Sequence, residues 1–197
     1  MIVRSGKSAV YLRPLVLDDA DSIAEKANDY DVAYNIAELG AFPYPYTRED
    51  ALDFIDFSMR TRMNGSEFHF GIVLKETDEL IGVCGLKDID YKNRKCDIGY
   101  WLAKRFWGEG HGREAVSLLL YVAMKELGMN RVSATVFPFN KRSLELLGSL
   151  KFVTEGTLRQ NVFHVDKFVD EMILSILSGE YEPPDDVVME GDGDRPA

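Results

Sequence analysis

An α+β domain, a mixed sheet flanked by helices, is the fold class this sequence predicts. Three observations carry the prediction. Strand-like and helix-like segments follow in the order β-α-α-β-β-β-α-β-α-β-β, a short polar turn joins two alternating segments as a hairpin, and a strand runs through closely spaced glycines straight into a long amphipathic helix. Residues 10–15 read as the first strand, after which Asp18 and Asp19 open a helix with Ile23, Ala24 and Ala27 on one face. Residues 30–46 read as a loop rich in aromatics and prolines. Thr47 then caps a second helix, with Asp50 placed for a capping box and Leu52, Ile55 and Met59 facing inward. Phe68, Phe70, Ile72 and Leu74 alternate as a strand, Thr77, Asp78 and Glu79 make the hairpin turn, and residues 80–89 return.

A third strand, residues 96–102, follows the polar turn at Lys92, Asn93 and Arg94 and leads into Gly108, Gly110 and Gly112. The helix beyond carries Val116, Leu119, Leu120, Ala123 and Leu127 at helical spacing and stops at Gly128. Residues 131–136 form another strand, a short helix runs from Asn140 through Leu150, and residues 152–158 and 169–176 close the sheet as a pair. One domain thus spans residues 1–182. Residues 183–197 read as an acidic, mobile tail with too little apolar content to pack.

The chain of 197 residues is 46 % hydrophobic, enough for one domain with a sizeable core. Its formal charge of −10 disfavours direct nucleic-acid binding, which rests on basic surface, and suits a cationic partner better. No apolar run approaches the ~20 residues that cross a bilayer, and the first nine residues lack the hydrophobic centre of a signal peptide. No membrane association and a cytoplasmic location are therefore expected. Cys84 and Cys96 fall in strand-like segments without metal-ligand neighbours, so reduced, buried thiols are expected, with no disulfide and no metal.

The glycine segment points to chemistry. Glycines admit positive φ and close approach to a ligand, and the free N–H groups of the following helix point outward with the positive end of its dipole. A phosphate or pyrophosphate is the natural guest. No Gly-x-x-x-x-Gly-Lys-Ser/Thr run occurs, and the glycines lie mid-chain, outside the surroundings of a dinucleotide fold.

Several motifs in their order resemble the GNAT superfamily of acyl-CoA-dependent N-acetyltransferases over roughly residues 10–181. They include Tyr11-Leu12-Arg13-Pro14-Leu15 with Asp18-Asp19-Ala20, Pro45-Tyr46-Thr47 and Asp97-Ile98-Gly99-Tyr100-Trp101-Leu102. Trp107-Gly108-Glu109-Gly110-His111-Gly112-Arg113-Glu114-Ala115 and Asn140-Lys141-Arg142-Ser143 complete the set, which looks most like the RimJ/RimL branch that acetylates ribosomal-protein N-termini. The resemblance implies a mostly antiparallel twisted sheet with one splayed parallel strand pair, and acetyl-CoA as the cofactor. Two registers fit the superfamily loop, Arg105 with Gly108 and Gly110, or Trp107 with Gly110 and Gly112; the second matches the branch.

By resemblance, loop amides of Trp107, Gly108, Glu109, Gly110, His111, Gly112 and Arg113 would hold the pyrophosphate. The pantetheine would lie against Trp101, Leu102 and Ala103, with a backbone N–H near Leu102 or Ala103 polarising the thioester carbonyl. Asn140 would bond the pantetheine amides and Ser143 would give a proton to the departing thiolate. The tyrosine that serves this purpose in many members is replaced here by Leu147. Asp97 is the first candidate base, on the strand leading to the thioester; a structural acid paired with an arginine is the other reading. Glu67, His69 and His164 are further base candidates. Asn140 and Ser143 can alternatively be read as helix caps.

Acceptors in this fold meet the loop after the first helices and the last hairpin. Tyr34, Phe42, Tyr44, Tyr46 and Phe163 are thus the candidate walls of the amine site, and Glu38 is an acid placed to favour a cation. The acceptor is expected to be a protein N-terminus or a small cationic amine. The alternatives are a polyamine, amino-acid or antibiotic acetyltransferase and a non-catalytic CoA-binding module, in a monomer or homodimer.

Overall fold

The computed structural model describes residues 1–36 and 42–191. Nine strands form a single sheet: β1 Ile2–Ser5, β2 Val10–Pro14, β3 Phe68–Leu74, β4 Leu80–Asp90, β5 Lys95–Leu102, β6 Arg131–Val136, β7 Val153–His164, β8 Lys167–Leu177 and β9 Val187–Glu190. The helices are α1 Ala20–Ala27, α2 Tyr30–Asn35, α3 Arg48–Asn64, α4 His111–Tyr121 and α5 Lys141–Ser149. In space the strands run β7-β8-β6-β5-β4-β3-β2-β1-β9, antiparallel throughout except for β5 with β6. This is the expected α+β architecture with one parallel pair.

Alternation along the strands divides the core. Phe68, Phe70 and Ile72 of β3 and Ile81, Cys84 and Leu86 toward β4's centre pack with Val116, Leu119 and Leu120 of α4. Val83 faces the other way, where Ile23 and Ala27 of α1 and Ala51 and Ile55 of α3 cover the sheet. Thr47 caps α3 through its reciprocal bonds with Asp50, and Gly65 ends that helix at φ +72°. Asp19 turns the chain into α1, accepting two 2.7 Å bonds from Arg13 and one of 2.8 Å from the Val16 N–H. Both thiols are free and buried, and burial pushes Cys96 up to about 12.

Three segments differ from expectation. Residues 30–35 form a helix rather than loop, because the Asp29 carboxylate caps the amides of Asp31 and Val32 (2.8 and 3.3 Å) while Val32 and Ala33 bury. The long helix turns from α to π geometry at Val122–Glu126 before Gly128. The stretch beyond residue 182 does not all leave the body: β9 pairs with β1, which was not expected as a strand either. Alternation explains the pairing, since Val187 and Met189 pack on the core while Asp186 accepts from the Ser5 hydroxyl at 2.7 Å. No helix among the described residues is long and apolar enough to cross a membrane.

Candidate active site

The glycine segment leaves β5 through a short 3-10 turn and enters α4 with Gly108 at φ +84° and Gly110 at φ +87°. A side chain is strained at both angles, whereas an added β-carbon would meet nothing within 4 Å, so backbone geometry is what demands glycine here. The first helical bond of α4 runs from the Glu114 N–H to the Gly110 carbonyl, leaving the amides of His111, Gly112 and Arg113 without a helical acceptor. At Gly112 the demand is for space, a β-carbon there standing 2.9 Å from Leu146 of α5. The Trp107 indole N–H donates to the Leu102 carbonyl at 2.8 Å, and the Arg142 guanidinium lies 4.8 Å from the Trp107 ring centre. Arg105 turns elsewhere, pairing with Glu79.

β5 and β6 pair only over residues 95–97 with 131–133 and then diverge. The Ala103 N–H donates to the Ile81 carbonyl at 2.9 Å, so of the two amides named for the thioester carbonyl this one is already engaged. Antiparallel alternation turns the Leu102 N–H away from β4 into the gap. A cavity of about 520 Å³ fills this region, bounded by the glycine segment, Leu102, Trp107, Asn140, Arg142 and Ser143. α2 closes one side of it: Asp31 pairs with Lys104, and the Asn140 side-chain amide donates to the Asn35 carbonyl at 3.2 Å.

At the open end of the gap the Tyr100 hydroxyl stands 2.8 Å from Ser143 Oγ. Burial pushes the Tyr100 hydroxyl up to about 12, so it remains a neutral donor at ordinary pH. Asn140 does cap α5, accepting from the Ser143 N–H at 3.2 Å, and that bond orients the serine without occupying its hydroxyl.

Tyr100 and Trp101 also bound a second cavity of about 600 Å³ on the opposite side of β5, walled by Phe42, Tyr46, Phe54 and Phe57. Asp50, Asp53, Glu67 and Asp88 bring carboxylates to it, and Lys87 is its one lysine among the described residues. Burial draws the Lys87 amine below the usual lysine range, against the opposing pull of Asp97, Asp88 and Glu171.

A family model for the acetyltransferase (GNAT) domain matches residues 9–153. The chain belongs to the GNAT family. Over 173 residues it is 36 % identical to the uncharacterized N-acetyltransferase p20 of Bacillus licheniformis, spanning 86 % of this chain and 93 % of that one. The [ribosomal protein uS5]-alanine N-acetyltransferase of Escherichia coli is 26 % identical over 120 residues, 60 % of this chain and 62 % of that one. Among solved structures, Mycobacterium smegmatis RimJ in complex with CoA-disulfide superposes with a TM-score of 0.81 at 22 % identity, over 91 % of this chain and 87 % of that one.

This GNAT chain is therefore an N-acetyltransferase that uses acetyl-CoA, and its own geometry fits that group. The amides at the start of α4 suit a pyrophosphate, Arg113 and Arg142 add positive charge, and the gap between β5 and β6 leaves backbone unpaired for an extended arm. Bound acetyl-CoA supplies the activated acyl group. Of the residues expected at the cofactor, Trp101, Leu102, Trp107, Gly108, Gly110, Gly112, Arg113, Asn140 and Ser143 line the first cavity. Glu109 and His111 pair with each other at 3.1 Å and, with Ala103, line none of the three cavities in this region.

Of the expected acceptor walls, Phe42 and Tyr46 line the second cavity. Tyr34 instead packs on Tyr30, Phe139 and His164, Tyr44 on Tyr30, and Phe163 lies exposed against Phe168 at the hairpin tip, each ring spent on a neighbour rather than on the cavity. Glu38 lies outside the described residues. Asp97 sits where β5 still pairs with β6, beside Lys87 and Arg131, and lines none of the three cavities; burial and nearby Asp88 raise its carboxyl above the usual range. His164 is buried against Phe137 and Phe139, where desolvation lowers its affinity for a proton. The residues not anticipated are Tyr100, Phe54, Phe57 and Arg142, and only Tyr100 carried a signal, its alternation with Ile98 and Leu102 on one strand face.

Proposed function

We propose that this enzyme acetylates the α-amino group of a protein N-terminus, with Ser143 donating to the departing sulfur. The observation that carries the reading is the second cavity: at about 600 Å³, aromatic-walled and sharing Tyr100 and Trp101 with the first, it has the scale of a several-residue ligand rather than of a bare amine. Its carboxylates favour an arriving ammonium, and the likeness to a ribosomal-protein alanine acetyltransferase agrees with the reading. Leu102 N–H polarises the thioester carbonyl, and Ser143, bonded to Tyr100, presents its hydroxyl to sulfur.

The test is acetyl transfer to a panel of peptides with free α-amines, matched peptides blocked at the N-terminus but carrying lysine, and small amines, read by thiol release and peptide mass. Single acetylation of the free α-amines is expected. Turnover confined to polyamines, amino acids or aminoglycosides would overturn the N-terminal reading, and CoA binding without turnover of any amine would make the protein a binding module.

A further inference from the structure

A second hydrogen-bonded pair stands on the acceptor side, apart from everything that holds the cofactor. Glu67 Oε2 lies 2.7 Å from His69 Nε2, both side chains at the cavity and only 25 % and 12 % exposed. A carboxylate accepts and does not donate, so Nε2 carries the shared proton and the neutral ring keeps its lone pair at Nδ1. Phe54 and Phe57 of α3 hold the ring, with centroids 5.2 and 5.8 Å away. Opposite it in the ladder is Gly85, where a β-carbon would stand 2.5 Å from Nδ1, so the imidazole occupies space that only glycine leaves. Gly85 pairs in turn with Gly99. Neither glycine puts a side chain between His69 and the part of β5 that both cavities touch, and the nearest atom to a β-carbon at Gly99 would be Lys87 Cε, at 4.0 Å.

We propose that His69, oriented by Glu67, is the general base, taking the acceptor's proton at Nδ1 directly or through one water. The assignment rests on the second cavity being the acceptor site. His69 removes one proton from the bound ammonium, freeing the nitrogen lone pair to form the C–N bond at the thioester carbonyl. As the C–S bond breaks and its pair passes to sulfur, Ser143 gives sulfur a proton and regains one from the nitrogen. His69 then releases its proton to water, so one proton leaves per acetyl transferred. Besides Glu67, the charged and titratable groups lining this cavity are Tyr46 ahead of α3, Asp50 and Asp53 from α3, Cys84, Lys87 and Asp88 from β4 and Tyr100 from β5, while Arg62 binds the His69 carbonyl at 2.6 Å. The carboxylates retain the ammonium until the imidazole acts.

The test compares wild type with His69→Gln and Gly85→Ala across pH, using whichever amine the wild type acetylates, and measures acetyl-CoA affinity separately by calorimetry. Amine preference reports the N-terminal reading; the ratio of variant to wild type reports the base. His69→Gln is expected to lower kcat/KM about 100-fold at neutral pH. The deficit should shrink as pH passes the acceptor's own pKa, ~8 for an α-amine, because the nucleophile then arrives deprotonated. Acetyl-CoA affinity should stay within about twofold, and Gly85→Ala, which displaces the ring, should show the same pH-dependent deficit. A deficit constant across pH, or none, would overturn the assignment.

Discussion

The Tyr100 and Ser143 hydroxyls stand 2.8 Å apart, so that each restricts the rotation of the other. If Tyr100 donates to Ser143 Oγ, the serine proton is left to face the sulfur and is polarised by the incoming bond. Tyr100→Phe removes only that donor, so we expect kcat to fall about tenfold with KM for acetyl-CoA unchanged. On the proposed mechanism Tyr100 touches only Ser143, so adding Tyr100→Phe to Ser143→Ala should cost nothing further; full additivity of the two losses would contradict the coupling. With the Tyr100 hydroxyl pushed up to about 12, the loss should be uniform from about pH 6 to about pH 9. Ser143 is legible only through the resemblance of Asn140-Lys141-Arg142-Ser143 to the RimJ/RimL branch, since its spacing from Asn140 alone reads equally as a helix cap, whereas the contact of Tyr100 with it depends on how α5 lies against β5. Asp97 shows the limit from the other side. Its strand is right, but it lies two residues before Gly99, in the stretch where β5 still pairs with β6, and so sits among Lys87 and Arg131 and lines neither of the two main cavities.

The loop between β5 and α4 is the element whose sequence and structure agree most closely, since positive φ, close approach and helix start are all written as glycine. Gly110→Ala forces an alanine to φ +87°, a strain of ~1–2 kcal/mol. In calorimetry it should weaken acetyl-CoA at least tenfold, and in a thermal melt it should lower Tm by about 2–8 °C. Wild-type affinity in this variant would show that the loop conformation does not shape the site. α2 was harder to read because it spans six residues, too short for a periodic pattern, and its cap Asp29 follows directly on the end of α1. That helix nevertheless closes the cofactor cavity, through Asp31 on Lys104 and the Asn35 carbonyl on Asn140. The extended hairpin β7–β8 escaped its predicted bounds for a different reason. Most of β7 is exposed, so no apolar alternation marks its length.

Across the whole molecule, a single sheet separates three tasks. Its parted middle strands border the first cavity, α1 and α3 cover the face that carries the proposed acceptor cavity, and β1 with β9 close the edge beyond β2. The order of elements was readable because hydrophobic periodicity is local. β1 and β9 were not, since each is only four residues long and the two pair with each other more than 180 positions apart. A chain ending at Asp185 loses β9 and the Asp186 bond to Ser5; it should melt lower and exchange the amides of residues 2–5 faster, yet bind acetyl-CoA as before. Weakened binding would mean the edge is coupled to the site. The central claim is that the acyl carrier and the amine approach from opposite sides of β5 and meet beside Tyr100 and Ser143. A crystal structure of the full chain with a bisubstrate analogue, CoA joined through an acetyl bridge to the α-nitrogen of a short peptide, tests it most directly. The account predicts the sulfur about 3–3.5 Å from Ser143 Oγ, with the peptide running past Trp101 toward His69 between Phe42 and Phe54. A peptide leaving by the other face of the sheet, or a sulfur beyond reach of Ser143, would contradict it.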